Sequence, residues 1–148
     1  ARGLPANPVA PKAKATRQFA VSFSKVSILH DESQDFDDAF WLEFDVAGET
    51  DRWPARGTKT VIHGKSYRLN KRYVVEVAEE ATLSVFVNGV DEDNGVRSMG
   101  QPGFDNDQQA GLVSRRYTAA DNWGIGAHEE RSSGGPGGYI ISYTIEAL

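Results

Sequence analysis

Cysteine is absent from this chain, which excludes disulfides, thiolate metal sites and a cysteine nucleophile. No apolar run approaches the roughly 18 residues that a membrane-spanning helix needs. Helical stripes are missing too. The nearest candidate, "AEEAT" from Ala78 to Thr82, is one turn long. None of the Asn-Pro-Val, Asn-Gly-Val or Asn-Trp-Gly triplets is an N-glycosylation acceptor. The chain opens at Ala1 without methionine, the expected mark of a processed or excised product. At 148 residues it has the length of one domain, enough to bury about two-thirds of its unfolded surface.

Charge of one sign is missing over long stretches. Residues 1–17 contain Arg2, Lys12, Lys14 and Arg17 and no acid, and Pro5, Pro8 and Pro11 deny them a helix. They are expected to form a flexible tail or linker, leaving residues 18–148 as the folded domain. With the whole chain at −5, that domain carries −9, which argues against nucleic acid as its partner. Asp31 to Asp51 then holds nine acids and no base, and Arg52 to Arg72 seven bases and no acid. Neighbouring strands are expected to set these blocks against each other, the alternative being a bipolar surface.

What is present is alternation with period two. Phe19, Val21 and Phe23 share one face, and the parity then switches to Val26 and Ile28, as a β-bulge at Ser24-Lys25 produces. "AFWLEFDV" puts Phe40, Leu42, Phe44 and Val46 inward and Trp41, Glu43 and Asp45 outward. "TKTVIHGKSYRL" suggests a hairpin turning at His63-Gly64. "RYVVEV", "TLSVFV", "GLVSRRYT" and "GYIISYTIEAL" supply the remaining strands. Seven or eight such strands predict an all-β fold, an antiparallel β-sandwich of jelly-roll-like type in preference to a barrel.

Two loops stand out as acidic: "HDESQDFDD" (His30 to Asp38) and the long stretch Asn88 to Gly111, which holds five carboxylates and one arginine. If Ser66 to Ala78 is one bent strand, the two loops share an end of the sandwich; a turn at Asn70-Lys71 would separate them. Sharing an end, Asp31, Asp35, Asp37 and Asp38 face Asp91, Asp93, Asp105 and Asp107 across one rim. Calcium suits such a set, because it takes six to eight oxygens from flexible loops in irregular geometry. An EF-hand is excluded, since in "DEDNGVRSMGQP" glycine falls at position five and Pro102 replaces the bidentate glutamate. The competing expectation is that both loops are plain solvated surface.

The order of strand, Asp-rich loop, strand and a second late Asp-rich loop, carried by "DESQDFDD" and "DEDNG…FDND", resembles the C2 domain and similar extracellular calcium-binding sandwiches. The resemblance implies calcium held by aspartates of two rim loops. It does not extend to membrane binding.

Other chemistry has weaker signals. His30 and His128 lie beside acids, but there is no HExxH and no G-x-S-x-G elbow. "SSGGPGG" lacks the lysine and helix of a phosphate loop. Trp53 and Trp123 are expected in loops, either as stacking platforms for sugars or as caps on the core, with Arg52 or Arg56 available for a cation–π stack. The sequence thus predicts a non-enzymatic, calcium-binding module, secreted or at the cell surface, with a protein or carbohydrate ligand. Two alternatives stand beside it. One is an assembly subunit that forms homo-oligomers through its N-terminal arm. The other is a small metal-dependent hydrolase using His30 or His128.

Overall fold

The computed structural model describes residues 15–29, 37–92, 108–134 and 138–148. Within them, nine strands build two antiparallel sheets. They are β1 (Thr16–Ile28), β2 (Asp37–Val46), β3 (Glu49–Trp53), β4 (Lys59–Ile62), β5 (Ser66–Ala78), β6 (Leu83–Glu92), β7 (Gln108–Tyr117), β8 (Gly126–Arg131) and β9 (Tyr139–Ala147). One sheet runs β5-β1-β9-β8; the other runs β3-β2-β6-β7, with β4 also paired to β2. The fold is an all-β sandwich, with nine strands among the described residues where seven or eight were expected. The additional ones, "ETDRW" and "GAHEER", are polar edge strands with no apolar alternation to announce them.

The inner faces follow the predicted alternation. Phe19, Val21 and Phe23 of β1 are buried, the register shifts between Phe23 and Lys25, and Val26 and Ile28 resume the inward face. The bulge at Ser24 therefore keeps both halves of a thirteen-residue strand on one core. Phe23 sits at its centre, with Phe44 at 4.8 Å and Tyr143 at 5.3 Å between ring centroids. Each such side chain contributes about 1.5–3 kcal/mol by leaving water.

Three details differ from expectation. β1 starts at Thr16, which pairs with Ala78, so Thr16 and Arg17 belong to the sandwich rather than to the tail. Residues 1–14 lie outside the described residues. The turn at His63-Gly64 is no hairpin: β4 pairs with β2 and β5 with β1, so the chain crosses there from one sheet to the other. Gly64 donates its N–H to Ile28 O and Ile28 its own to Lys65 O, which pins this corner to β1. Finally, β3 and β4 run in one direction along the same edge of β2. They behave as one strand interrupted at Pro54, which has no N–H to give to a ladder.

Polar seams close both open sides. Between β3 and β5, Asp51 accepts hydrogen bonds from Tyr73 Oη (2.7 Å) and Lys71 Nζ (3.0 Å). Between β7 and β8, Arg115 Nε donates to Glu130 at 2.8 Å, the Tyr117 and Tyr143 hydroxyls meet at 2.7 Å, and His128 stacks on Tyr143. Tyr139 crosses the core itself, its hydroxyl lying 3.1 Å from Val87 O and 2.9 Å from Gly111 O.

Candidate functional site

Ser66–Ala78 is a single strand, with Asn70 at φ 52° taking up its bend. Because β3 and β4 count as one interrupted run, four strands, an even number, lie between the two acidic segments. The ladders place the ends accordingly. At the start of β2, Asp37 lies opposite Ile62 and Ala39 opposite Glu92, the last residue of β6. Asp91 lies opposite both Phe40 and Gln108, the first residue of β7. Leu29 N–H donates to Gly138 O at 3.0 Å, which brings the exit of β1 to the entry of β9. The ends flanking residues 30–36, 93–107 and 135–137 therefore all stand at one rim, beside the His63-Gly64 corner.

The predicted ligand set divides at this rim. Asp91 is described in full: it continues the inward alternation of Leu83, Val85 and Val87 and is half-buried above the core. Asp37 and Asp38 are placed by register only, opposite Ile62 and Val61. Asp31, Asp35, Asp93, Asp105 and Asp107 lie outside the described residues, as does His30. Among the described residues no three His, Asp or Glu side chains come together as a metal centre.

Of the two expectations for the tryptophans, packing on the core holds and the sugar platform is corrected for Trp123. Trp123 is 2% exposed and packs on Phe19 at 5.2 Å, so it is core and offers no stacking surface. It lies in a short 3-10 segment, Ala119–Gly124, where Asn122 and Trp123 both take positive φ and turn the indole inward. Trp53 ends β3 opposite Leu42 and is partly buried against the core. Arg52 does make a cation–π stack, but on Trp41, with its guanidinium 4.1 Å from the ring. His128 is held in the β7–β8 seam, its Nε2–H donated to Gly124 O at 2.5 Å.

A second feature lies on the outer face of the β3-β2-β6 sheet. A cleft of about 540 Å³ is lined by Trp41, Glu43, Asp45, Thr50, Arg52 and Phe86. Its signal was present in "AFWLEFDV", where the outward parity collects Trp41, Glu43 and Asp45. What the alternation could not supply was the lateral neighbour, Phe86, which the register sets opposite Asp45.

No protein-family model and no curated protein matches this chain. Solved structures match it in shape. The tandem C2 domains of Extended-Synaptotagmin 2 align over 100% of this chain and 47% of theirs, at 13% identity and TM-score 0.60. Their calcium-bound form aligns over 89% and 45%, at 14% identity and TM-score 0.55. The first C2 domain of a plant Extended Synaptotagmin 1 aligns over 89% and 95%, at 11% identity and TM-score 0.50. The chain thus spans about half of the two-domain protein and nearly all of the single domain. Its fold is a C2-like antiparallel β-sandwich.

Proposed function

We propose that this protein is a non-catalytic module that binds calcium at the rim where its aspartate-rich segments leave and re-enter the sandwich, and that it engages its ligand there. The observation that carries this reading is the convergence of the strand ends: Asp91, the start of β2 and the start of β7 are neighbours in the ladders. The donor set fits a hard cation. It is carboxylate oxygen throughout, with no thiolate, and loop carbonyls can complete six to eight ligands. The calcium-bound state of one similar C2 structure supports the same reading. A secreted or surface location goes with it, since extracellular modules typically bind calcium at about 10⁻⁴–10⁻³ M. The ligand would be a protein or a carbohydrate.

The test is a thermal melt of the metal-stripped protein with about 5–10 mM calcium or magnesium. A ligand at 100 times its dissociation constant adds about 2.7 kcal/mol, a rise of several degrees for a domain of this size. A rise with calcium and none with magnesium supports the site. No rise with either ion overturns it.

A further inference from the structure

The register opposes Glu43 to Arg52 across β2 and β3, a pair of opposite charges that would ordinarily meet. They do not. The guanidinium of Arg52 is drawn along the strand onto the ring of Trp41 and donates Nη2–H to Gly57 O. Its Nε is enclosed and has no acceptor, so the aromatic stack and the single carbonyl hold it in place. Glu43 is left exposed, and no ion pair reaches it among the described residues. Asp45, on the same face, accepts one hydrogen bond through Oδ1, from Gly48 N–H. Phe86 stands opposite Asp45 and is half-exposed. The cleft therefore joins unspent carboxylate to aromatic surface, and its arginine is turned away from the acid it faces.

We propose that this cleft binds an arginine side chain from a segment of a partner protein. The guanidinium would pair with Glu43, with Asp45 adding negative potential, and the aliphatic stem would lie along Phe86. Trp41 already receives a guanidinium on its ring from within the chain, which shows the chemistry this face accepts. A planar guanidinium meets a carboxylate through two parallel N–H donors and stacks on rings, whereas an ammonium offers only a point charge. A neutral sugar could use the aromatic surface but would leave the carboxylate charge unmatched. This cleft is on a sheet face, not at the rim, and the proposal stands apart from the calcium reading.

The test is a nuclear magnetic resonance titration of the ¹⁵N-labelled full chain with acetyl-Arg-Arg-amide, acetyl-Lys-Lys-amide and cellotriose. The arginine peptide is expected to shift the Trp41 indole signal and the amides of Glu43, Asp45, Arg52 and Phe86 in a saturable way. Glu43→Gln is expected to weaken it about threefold, the range of an exposed ion pair, with the signals of the buried strands unchanged. The lysine peptide should bind weaker by a similar factor. The assignment is overturned if shifts are confined to the acid-rich stretches, if Glu43→Gln binds like the native protein, if lysine binds as well as arginine, or if cellotriose alone saturates the cleft.

Discussion

Tyr73, on β5, donates its hydroxyl to the carboxylate of Asp51, on β3, over 2.7 Å and across the open side of the sandwich. The pair shifts both titrations. Burial pushes Asp51 up, but hydrogen bonds from Tyr73, the Arg52 N–H and Lys71 outweigh it and hold the carboxyl below its ordinary 3.8. For Tyr73, burial first, then the hydrogen bond to Asp51 and the charge of that carboxylate, push the phenol above 10.0. Asp51 therefore contributes stability that is present above 3.8 and lost as pH falls through its lowered folded value. The contribution of Tyr73 is present below 10.0 and lost as pH rises beyond it toward its raised folded value. Melting curves across pH should show both limbs. Asp51→Asn should flatten the acid limb and move a tyrosinate absorbance transition down toward 10.0; unchanged limbs would remove the pair from the account of stability.

Asp91→Asn should lose most of the calcium-induced rise in melting temperature, read as the difference between the calcium-loaded and metal-free melts of the variant itself. A variant that keeps the full calcium response would take Asp91 out of the ligand set.

Trp123→Ala should cost about 3–5 kcal/mol in urea unfolding, the range for deleting a buried aromatic. It should leave binding of any ligand to the folded protein unaffected. A loss below about 1 kcal/mol would mean that the indole is not the core element its 2% exposure describes.

Gly89→Ala tests how tightly the sheets are packed beneath the rim. A methyl at that position would stand 2.5 Å from Tyr139 Cε1 and 3.3 Å from Phe40 Cζ, both in buried rings. The expected cost is about 1–3 kcal/mol from overpacking, read from the denaturation midpoint at unchanged slope.

Tyr139→Phe removes the hydroxyl placed between Val87 O and Gly111 O. Loss of a buried hydrogen bond should cost about 1–2 kcal/mol, seen as a lower midpoint in the same measurement. An unchanged midpoint would show that the ladder bonds alone satisfy those carbonyls.

The frame was legible because period-two alternation is strong wherever one face is buried. Phe19 to Phe23, the switch to Val26, and Phe40 to Val46 all follow the written pattern. β8 carries no such pattern: its inward residues are His128 and Glu130, which make a polar seam in place of apolar core. The corner at His63-Gly64 looked like a hairpin because a tight turn between strands reads the same whether the strands pair or part. Its direction is set by Ile28, distant in sequence. For Trp123, position near Asn122 and Gly124 suggested a loop, correctly; two consecutive positive φ values then turned the ring inward, which no periodicity reports. At the rim, the sequence supplied the acids and the single strand β5 supplied their common end.

The excursion from Glu92 to Gln108 begins and ends on adjacent rungs, since Asp91 pairs with Gln108. The ends of that segment are held by the β6–β7 ladder regardless of what lies between them. Closing a chain between fixed ends costs free energy that grows only with the logarithm of its length, about 0.6 kcal/mol per doubling. As far as chain closure alone is concerned, a change in the length of a connection held in this way costs the sandwich little. The frame can carry a long sequence at that position, or a replaced one, with little loss of stability, which makes the position a natural graft point for new recognition.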